Sequence, residues 1–209
     1  MPDQTPAKTA EITQFNQLSL APALISRLNE IGYEQMTPVQ SLSLPVILDN
    51  ADAVVRANTG SGKTTAFALA LLSKLNTKSF APQALVLCPT RELAHQVAEE
   101  VRNLAKSMTN IKILTLCGGE PSRIQTSSLE HGAHVLVGTP GRVLDHLEQR
   151  NVDLSALNTF VLDEADRMLE MGFQESLSAI VKHIPKARQT LLFSATYPKN
   201  IAALAEQVT

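Results

Sequence analysis

The sequence predicts an α/β fold, a parallel sheet with helices on both faces, and three observations carry that prediction. Short runs rich in Val, Leu and Ile recur along the chain, apolar on both faces as buried parallel strands are. Amphipathic stretches of helical length separate these runs, and such alternation marks parallel crossover connections. The glycine-bearing and charged segments follow directly after apolar runs, where the sites of open parallel sheets lie.

Residues 1–13 are rich in Pro, Thr, Gln and Ala without apolar rhythm, so a mobile tail is expected before one domain spanning 14–209. Two helices come first, Ala21–Ile31 and Pro38–Leu48. Pro22 and Pro38 suit first-turn positions, and Thr37 can cap the second helix. Strands are predicted at Ala53–Ala57, Ala84–Cys88, Ile111–Cys117, His134–Gly138, Phe160–Asp163 and Thr190–Phe193. Between and after them lie helix candidates at Lys63–Leu75, Arg91–Lys106, Pro121–Glu130, Arg142–Gln149, Phe173–Ile184 and Pro198–Val208. There is no internal repeat.

A chain of 209 residues fits one α/β domain, and an apolar share of 44% is ordinary for one with a real core. No run of about twenty apolar residues indicates a membrane span, and no basic-then-apolar leader is visible. Cys88 and Cys117, in strand-like runs, read as reduced buried thiols of a cytoplasmic protein, with a disulfide between neighbouring strands as the lesser alternative. The formal net charge of −2 argues against a broad nucleic-acid face, so any such contact must be local, through a few arginines and helix N-termini. The histidines lack metal-ligand spacing, and His95 and His146 read as surface residues of helices. Met168 and Met171 read as core packing.

The segment Ala57-Asn58-Thr59-Gly60-Ser61-Gly62-Lys63-Thr64 follows a strand and opens a helix. The general phosphate-loop pattern wants Gly, four residues, then Gly-Lys-Ser/Thr; here Ala57 replaces the first Gly. Gly60 and Gly62 let backbone approach an anion, and the loop amides and helix N-terminus face phosphates. Lys63 should reach the β and γ phosphates, and the Thr64 hydroxyl should ligate magnesium. Thr59, Ser61 and Thr65 complete the cradle. The bland alternative is a glycine turn before an ordinary helix. Further on, Asp163 and Glu164 end an apolar strand. Asp163 can hold magnesium, and Glu164 can orient or deprotonate an attacking water. Asp166 cannot point the same way and needs another role. An acidic helix start would look similar.

Asp163-Glu164-Ala165-Asp166 spells the tetrapeptide that names the DEAD-box helicases, and the chain from Phe15 onward resembles their first RecA-like P-loop domain. The Ala57 form of the loop is the form that family uses. Residues 32–40, ending in Gln40, resemble its adenine-reading motif, with Phe15 as the isolated upstream aromatic. The resemblance implies that the Gln40 amide reads an adenine edge and that Phe15 or Tyr33 offers a stacking face. Pro89-Thr90-Arg91, Gly118-Gly119 and Thr139-Pro140-Gly141-Arg142 resemble the family's RNA-contacting segments. Arg91 and Arg142 can pair with phosphates there. Ser194-Ala195-Thr196 resembles the segment that, with Asp166, couples hydrolysis to strand separation. Taken singly, most of these residues could be plain surface or turn residues; their order argues otherwise.

The resemblance implies an ATP-dependent RNA helicase using ATP and Mg2+, acting as a monomer away from membranes. Residues 84–94 and 112–119 resemble a bacterial branch acting on ribosomal RNA, which implies a part in assembling the large ribosomal subunit. The family works with a second RecA-like domain. Nothing here resembles one, so the chain is read as a piece of a longer protein whose isolated activity would be almost nil. An ATP-gated RNA clamp would use the same motifs. A DNA-directed motor is disfavoured by the tetrapeptide and by the Gln40 motif.

Overall fold

The computed structural model describes residues 13–208. The expected tail lies outside them except for Thr13, which is tied in: its carbonyl accepts from Met36 N at 2.8 Å. After a 3-10 turn at Phe15–Gln17 come helices α1 (Pro22–Glu30) and α2 (Pro38–Leu48). The alternating part runs β1 (Ala53–Arg56), α3 (Lys63–Ser73), β2 (Ala84–Leu87), α4 (Arg91–Ala105), β3 (Ile113–Leu116), α5 (Ser122–Glu130), β4 (Val135–Gly138) and α6 (Pro140–Glu148). It continues through β5 (Thr159–Leu162), α7 (Ala165–Glu170), α8 (Gln174–Val181), β6 (Gln189–Ser194) and α9 (Lys199–Val208).

The six strands form one sheet in the order β1-β6-β5-β2-β4-β3, and every pairing is parallel. Strands β2, β4, β5 and β6 are buried throughout, whereas edge strand β1 alternates between half-buried and exposed. The period of two divides the side chains between two cores. Ala84, Val86, Val137, Val161 and Phe193 join α1–α4 on one face. Leu85, Leu87, Leu136, Phe160 and Leu192 meet α5–α9 on the other. Helix α3 is buried along nearly its whole length, which explains its lack of a polar face. Phe67 on α3 meets Phe193 on β6 with ring centroids 5.4 Å apart, seating the helix against the sheet.

The predicted caps are in place: Pro22 and Pro38 open their helices, and Thr37 Oγ1 accepts from Gln40 N. Helix α7 is absent from the prediction because six residues are too few to show a helical period. Met168 on it is core, but Met171 is not: it caps the end of α7 before the turn at Gly172 and is 49% exposed. His146 also departs from expectation. It lies on the inner face of α6, fully buried and hydrogen-bonded, whereas His95 is half exposed. Cys88 and Cys117 are buried free thiols. No helix among the described residues is long and apolar enough to cross a membrane.

Candidate active site

Parallel strands bring every motif to the same edge of the sheet, and the strand order sorts them. The loop after β1, the acidic end of β5 and the segment ending β6 are neighbours; the segments after β2, β4 and β3 form the other half.

The phosphate loop leaves β1 still paired to β6, with Ala57 N donating to Ser194 O at 2.9 Å. Gly60 and Gly62 have φ of +81° and +85°, a region open to glycine at little cost. A side chain at Gly62 would also lie 2.5 Å from Gln40 Nε2. No side chain caps α3, so its first-turn amides face the loop without helical acceptors. The loop rests on the start of α2. Thr37 Oγ1 donates to Ser61 O at 2.7 Å, and Gln40 Nε2 donates to Gly62 O at 3.0 Å. Gln40 Oε1 accepts from Thr37 N at 2.9 Å. In this arrangement the Gln40 amide braces the loop and is buried, leaving one donor and one lone pair for any base. Of the two aromatics, Phe15 is 2% exposed within the core and has no open face, while Tyr33 is 37% exposed. Thr65 points away and donates to Glu100 Oε1 at 3.0 Å, so only its backbone belongs to the cradle.

Lys63, 3% exposed, enters the site between two carboxylates: Asp163 Oδ1 is 2.7 Å and Glu164 Oε1 3.3 Å from its Nζ. Thr59 Oγ1 donates to Glu164 Oε1 at 2.7 Å, and Arg167 Nη1 lies 3.5 Å from Glu164 Oε2. Asp163 is fully buried, which pushes its carboxyl up despite the opposing charge and hydrogen bond of Lys63. Burial pushes Glu164 up too, but the Thr59 hydroxyl, then Lys63 and Arg167, outweigh it and hold the group below its usual value. Glu164 carries φ +55°, uncommon away from glycine, and that turn separates its direction from that of Asp163. Thr59, Lys63, Glu164, Asp166 and Arg167 line a cavity of about 300 Å3. A larger surface hollow of about 580 Å3 along α4 contains none of these groups.

The donor set fits a magnesium ion. Both Asp163 oxygens are buried without a hydrogen bond of full geometry, although Lys63 is close. No group of three or more His, Cys, Asp or Glu forms a metal cage among the described residues.

Asp166 takes the separate direction expected of it. Its Oδ2 accepts from Thr196 N at 3.0 Å and from Thr196 Oγ1 at 2.9 Å. Burial raises this carboxyl, but the bonds from Thr196 and Arg167 N prevail and keep it low. The buried Ser194 hydroxyl is near enough to lower the same carboxyl, though without a bond of full geometry, so Thr196 makes the stronger link. Arg56 Nε donates to Ala195 O at 3.2 Å and fixes the segment from the β1 side.

In the other half, Thr90 caps α4, Arg91 is exposed, and Arg91 Nη1 donates to Gly118 O at 3.3 Å. Gly119 is exposed at φ +86°, while Gly118, Thr139 and Gly141 are half-buried. Thr139 precedes α6 without capping it. Two expectations shift. Pro89 and Pro140 are buried; Pro140 sets the first turn of α6 and offers no ring to a ligand. Arg142 turns inward, donating from Nη1 to Glu120 O and to Gln125 Oε1, each at 3.0 Å.

Residues 37–204 match the family described as DEAD/DEAH box helicase. The chain belongs to that family. The ATP-dependent RNA helicase DbpA of Escherichia coli K12 is 56% identical over 94% of this chain, which spans 43% of that relative. The DEAD-box ATP-dependent RNA helicase CshA of Geobacillus kaustophilus is 43% identical over 94% of the chain, which spans 42% of it. The crystal structure of a DEAD box protein from the hyperthermophile Methanococcus jannaschii superposes with a TM-score of 0.90 at 39% identity, covering 94% of this chain and 54% of that one. The chain thus spans less than half the length of these curated relatives.

For a DEAD/DEAH box chain, the matched span holds every candidate residue except Phe15 and Tyr33, which lie upstream of it. The sequence did not point to Gln125, Glu120 or Arg167. Thr37 was visible as a cap but not as a support for Ser61. Nothing in the spacing of Gln125 distinguishes it from a solvated helix residue.

Proposed function

We propose that this chain is the ATP-binding domain of an RNA-dependent ATPase that locally unwinds or remodels RNA. The observation that carries the reading is the convergence of Lys63, Asp163, Glu164 and Thr59 beneath the amides of a glycine loop. Lys63 and the first-turn amides of α3 would bind the β and γ phosphates. Asp163 and Thr64 would hold Mg2+, which neutralises phosphate charge when bound. As phosphates take over Lys63, Glu164 is released to accept a proton from the attacking water. Tyr33 would provide the stacking face for adenine, while Phe15 packs in the core. Gln40 would read the base edge only with the donor and lone pair that its brace leaves free. Asp166 and Thr196, with Ser194 and Ala195, would carry the state of the site to the β6 end.

The RNA face would be the β2-β4-β3 edge at the exposed Arg91 and Gly119 and the half-buried Thr90, Gly118, Thr139 and Gly141. Arg142 would shape it more than touch it. Ribosomal RNA in large-subunit assembly is the target class that the resemblance implies. A second RecA-like domain would supply the arginines that complete the site, in a monomeric cytoplasmic protein.

Steady-state phosphate release with saturating RNA tests this. The chain alone should bind adenine nucleotides yet turn over almost nothing, since an arginine supplied by a partner domain is worth about 10³–10⁵ in rate. Full-length protein should show RNA-stimulated release and strand displacement. RNA retention without displacement would favour a clamp, and strong RNA-dependent turnover by the chain alone would overturn the two-domain reading.

A further inference from the structure

Gln125 lies on α5, outside every motif, and is 3% exposed. Its amide has four partners. Nε2 donates to Cys117 O at 2.8 Å and to Glu120 Oε2 at 3.3 Å. Oε1 accepts from Arg142 Nη1 and from His146 Nε2, both at 3.0 Å. These bonds use both amide hydrogens and both lone pairs, so the partners fix which end of the amide faces which way.

His146 is buried in turn, with Asn151 Nδ2 at 3.2 Å from its Nδ1. An imidazole that donates from Nε2 to Gln125 and accepts at Nδ1 from Asn151 is neutral and uses both nitrogens. Burial, and then the charge of Arg142, hold its pKa below the ordinary value, in keeping with that form.

The chain of bonds from Asn151 through His146 and Gln125 ends at the corner after β3. Arg142 also donates to Glu120 O, and Arg91 reaches Gly118 O from the opposite side. Gly119 has φ +86°, and a Cβ there would lie 1.8 Å from Arg91 Nη1, so a side chain at that position would push the guanidinium out of its present place.

We propose that Gln125 is a positioning residue for RNA binding, buttressed by His146, that locks the Gly118–Glu120 corner and Arg142 into one arrangement. The proposal rests on the RNA-face reading given above. Four converging bonds specify one geometry, where an apolar side chain of similar size would pack without choosing any. Phosphate-binding groups held ready in this way bind without the cost of being ordered at that moment.

The test uses the full-length protein and RNA-stimulated ATPase, reading RNA half-saturation and KM for ATP separately. Gln125→Leu and Gln125→Glu should each raise RNA half-saturation about tenfold, the scale of leaving a buried polar partner unmatched. KM for ATP should stay within about twofold by the same standard, since no bond to the phosphate loop is lost. His146→Gln, whose amide can donate where Nε2–H does, should stay near wild type, while His146→Leu should match Gln125→Leu. If Gln125→Leu prevents folding, the two His146 variants decide.

Unchanged RNA half-saturation in Gln125→Leu, with Arg91→Ala impaired, would overturn the positioning role and leave the RNA face standing. An Arg91→Ala variant equal to wild type would overturn the RNA face and the proposal with it. Equal losses for ATP and RNA, with no difference between His146→Gln and His146→Leu, would show a merely structural residue and also overturn it.

Discussion

At the ends of β1, β6 and β5 the polar groups hold one another by charge, whereas the central tie of the β2-β4-β3 end is made by neutral groups. Lys63 lies between Asp163 and Glu164, and Arg167 reaches Glu164 from the other side. Across the sheet, Gln125, His146 and Asn151 are uncharged; Glu120 and, at 3.7 Å, Asp145 add carboxylates there, but Arg91 and Arg142 donate their hydrogen bonds to backbone carbonyls and the Gln125 amide. A lysine paired with carboxylates can pass to phosphates, because one set of anionic oxygens replaces another. A buried amide with four satisfied bonds has no such replacement, and moving it leaves partners unmatched. One half of the edge is therefore suited to exchanging partners during a cycle, and the other to staying fixed.

The largest effect should come from Glu164. Glu164→Gln keeps the side-chain shape and removes the base, so in full-length protein it should lower ATP turnover by about 10²–10⁴ while ADP affinity changes little. Normal turnover in that variant would remove Glu164 from the chemistry, and the exchanging half would lose its purpose. A smaller effect sharpens the fixed half. The folded pKa of His146 is depressed, so between that value and the ordinary histidine value of about 6.5 the unfolded chain binds more protons than the folded one. The contribution is present above about pH 6.5 and is lost as pH falls through the folded value. Thermal unfolding of the chain should thus fall more steeply below about pH 6.5 than that of His146→Gln. Parallel curves would mean that the imidazole is not held neutral.

The two halves were not equally legible in sequence. The phosphate loop and the acidic strand end could be read because strand, loop and helix are contiguous, and a parallel sheet brings strand ends together. Asp166 was assigned a separate direction on local geometry alone, and Thr196 meets it. The fixed half hid more. Arg142 looks like a surface charge until Glu120 and Gln125, both far from it in sequence, are folded beneath it. His146 reads as an exposed helix residue because its partners come from a second helix and a following loop. Phe15, Pro89 and Pro140 carry motif identity, yet burial turns them into supports. For Arg142 and His146 the missing information was a partner on α5, far away in sequence.

The division between the halves is tested most directly by titrating ADP into the isolated chain as wild type, Lys63→Ala and Arg91→Ala. Lys63→Ala should weaken binding about tenfold or more, because a phosphate partner with a full charge is lost. Arg91→Ala should bind ADP like wild type, since its guanidinium serves Gly118 on the other half. An Arg91→Ala variant that loses ADP affinity as severely as Lys63→Ala would contradict the division.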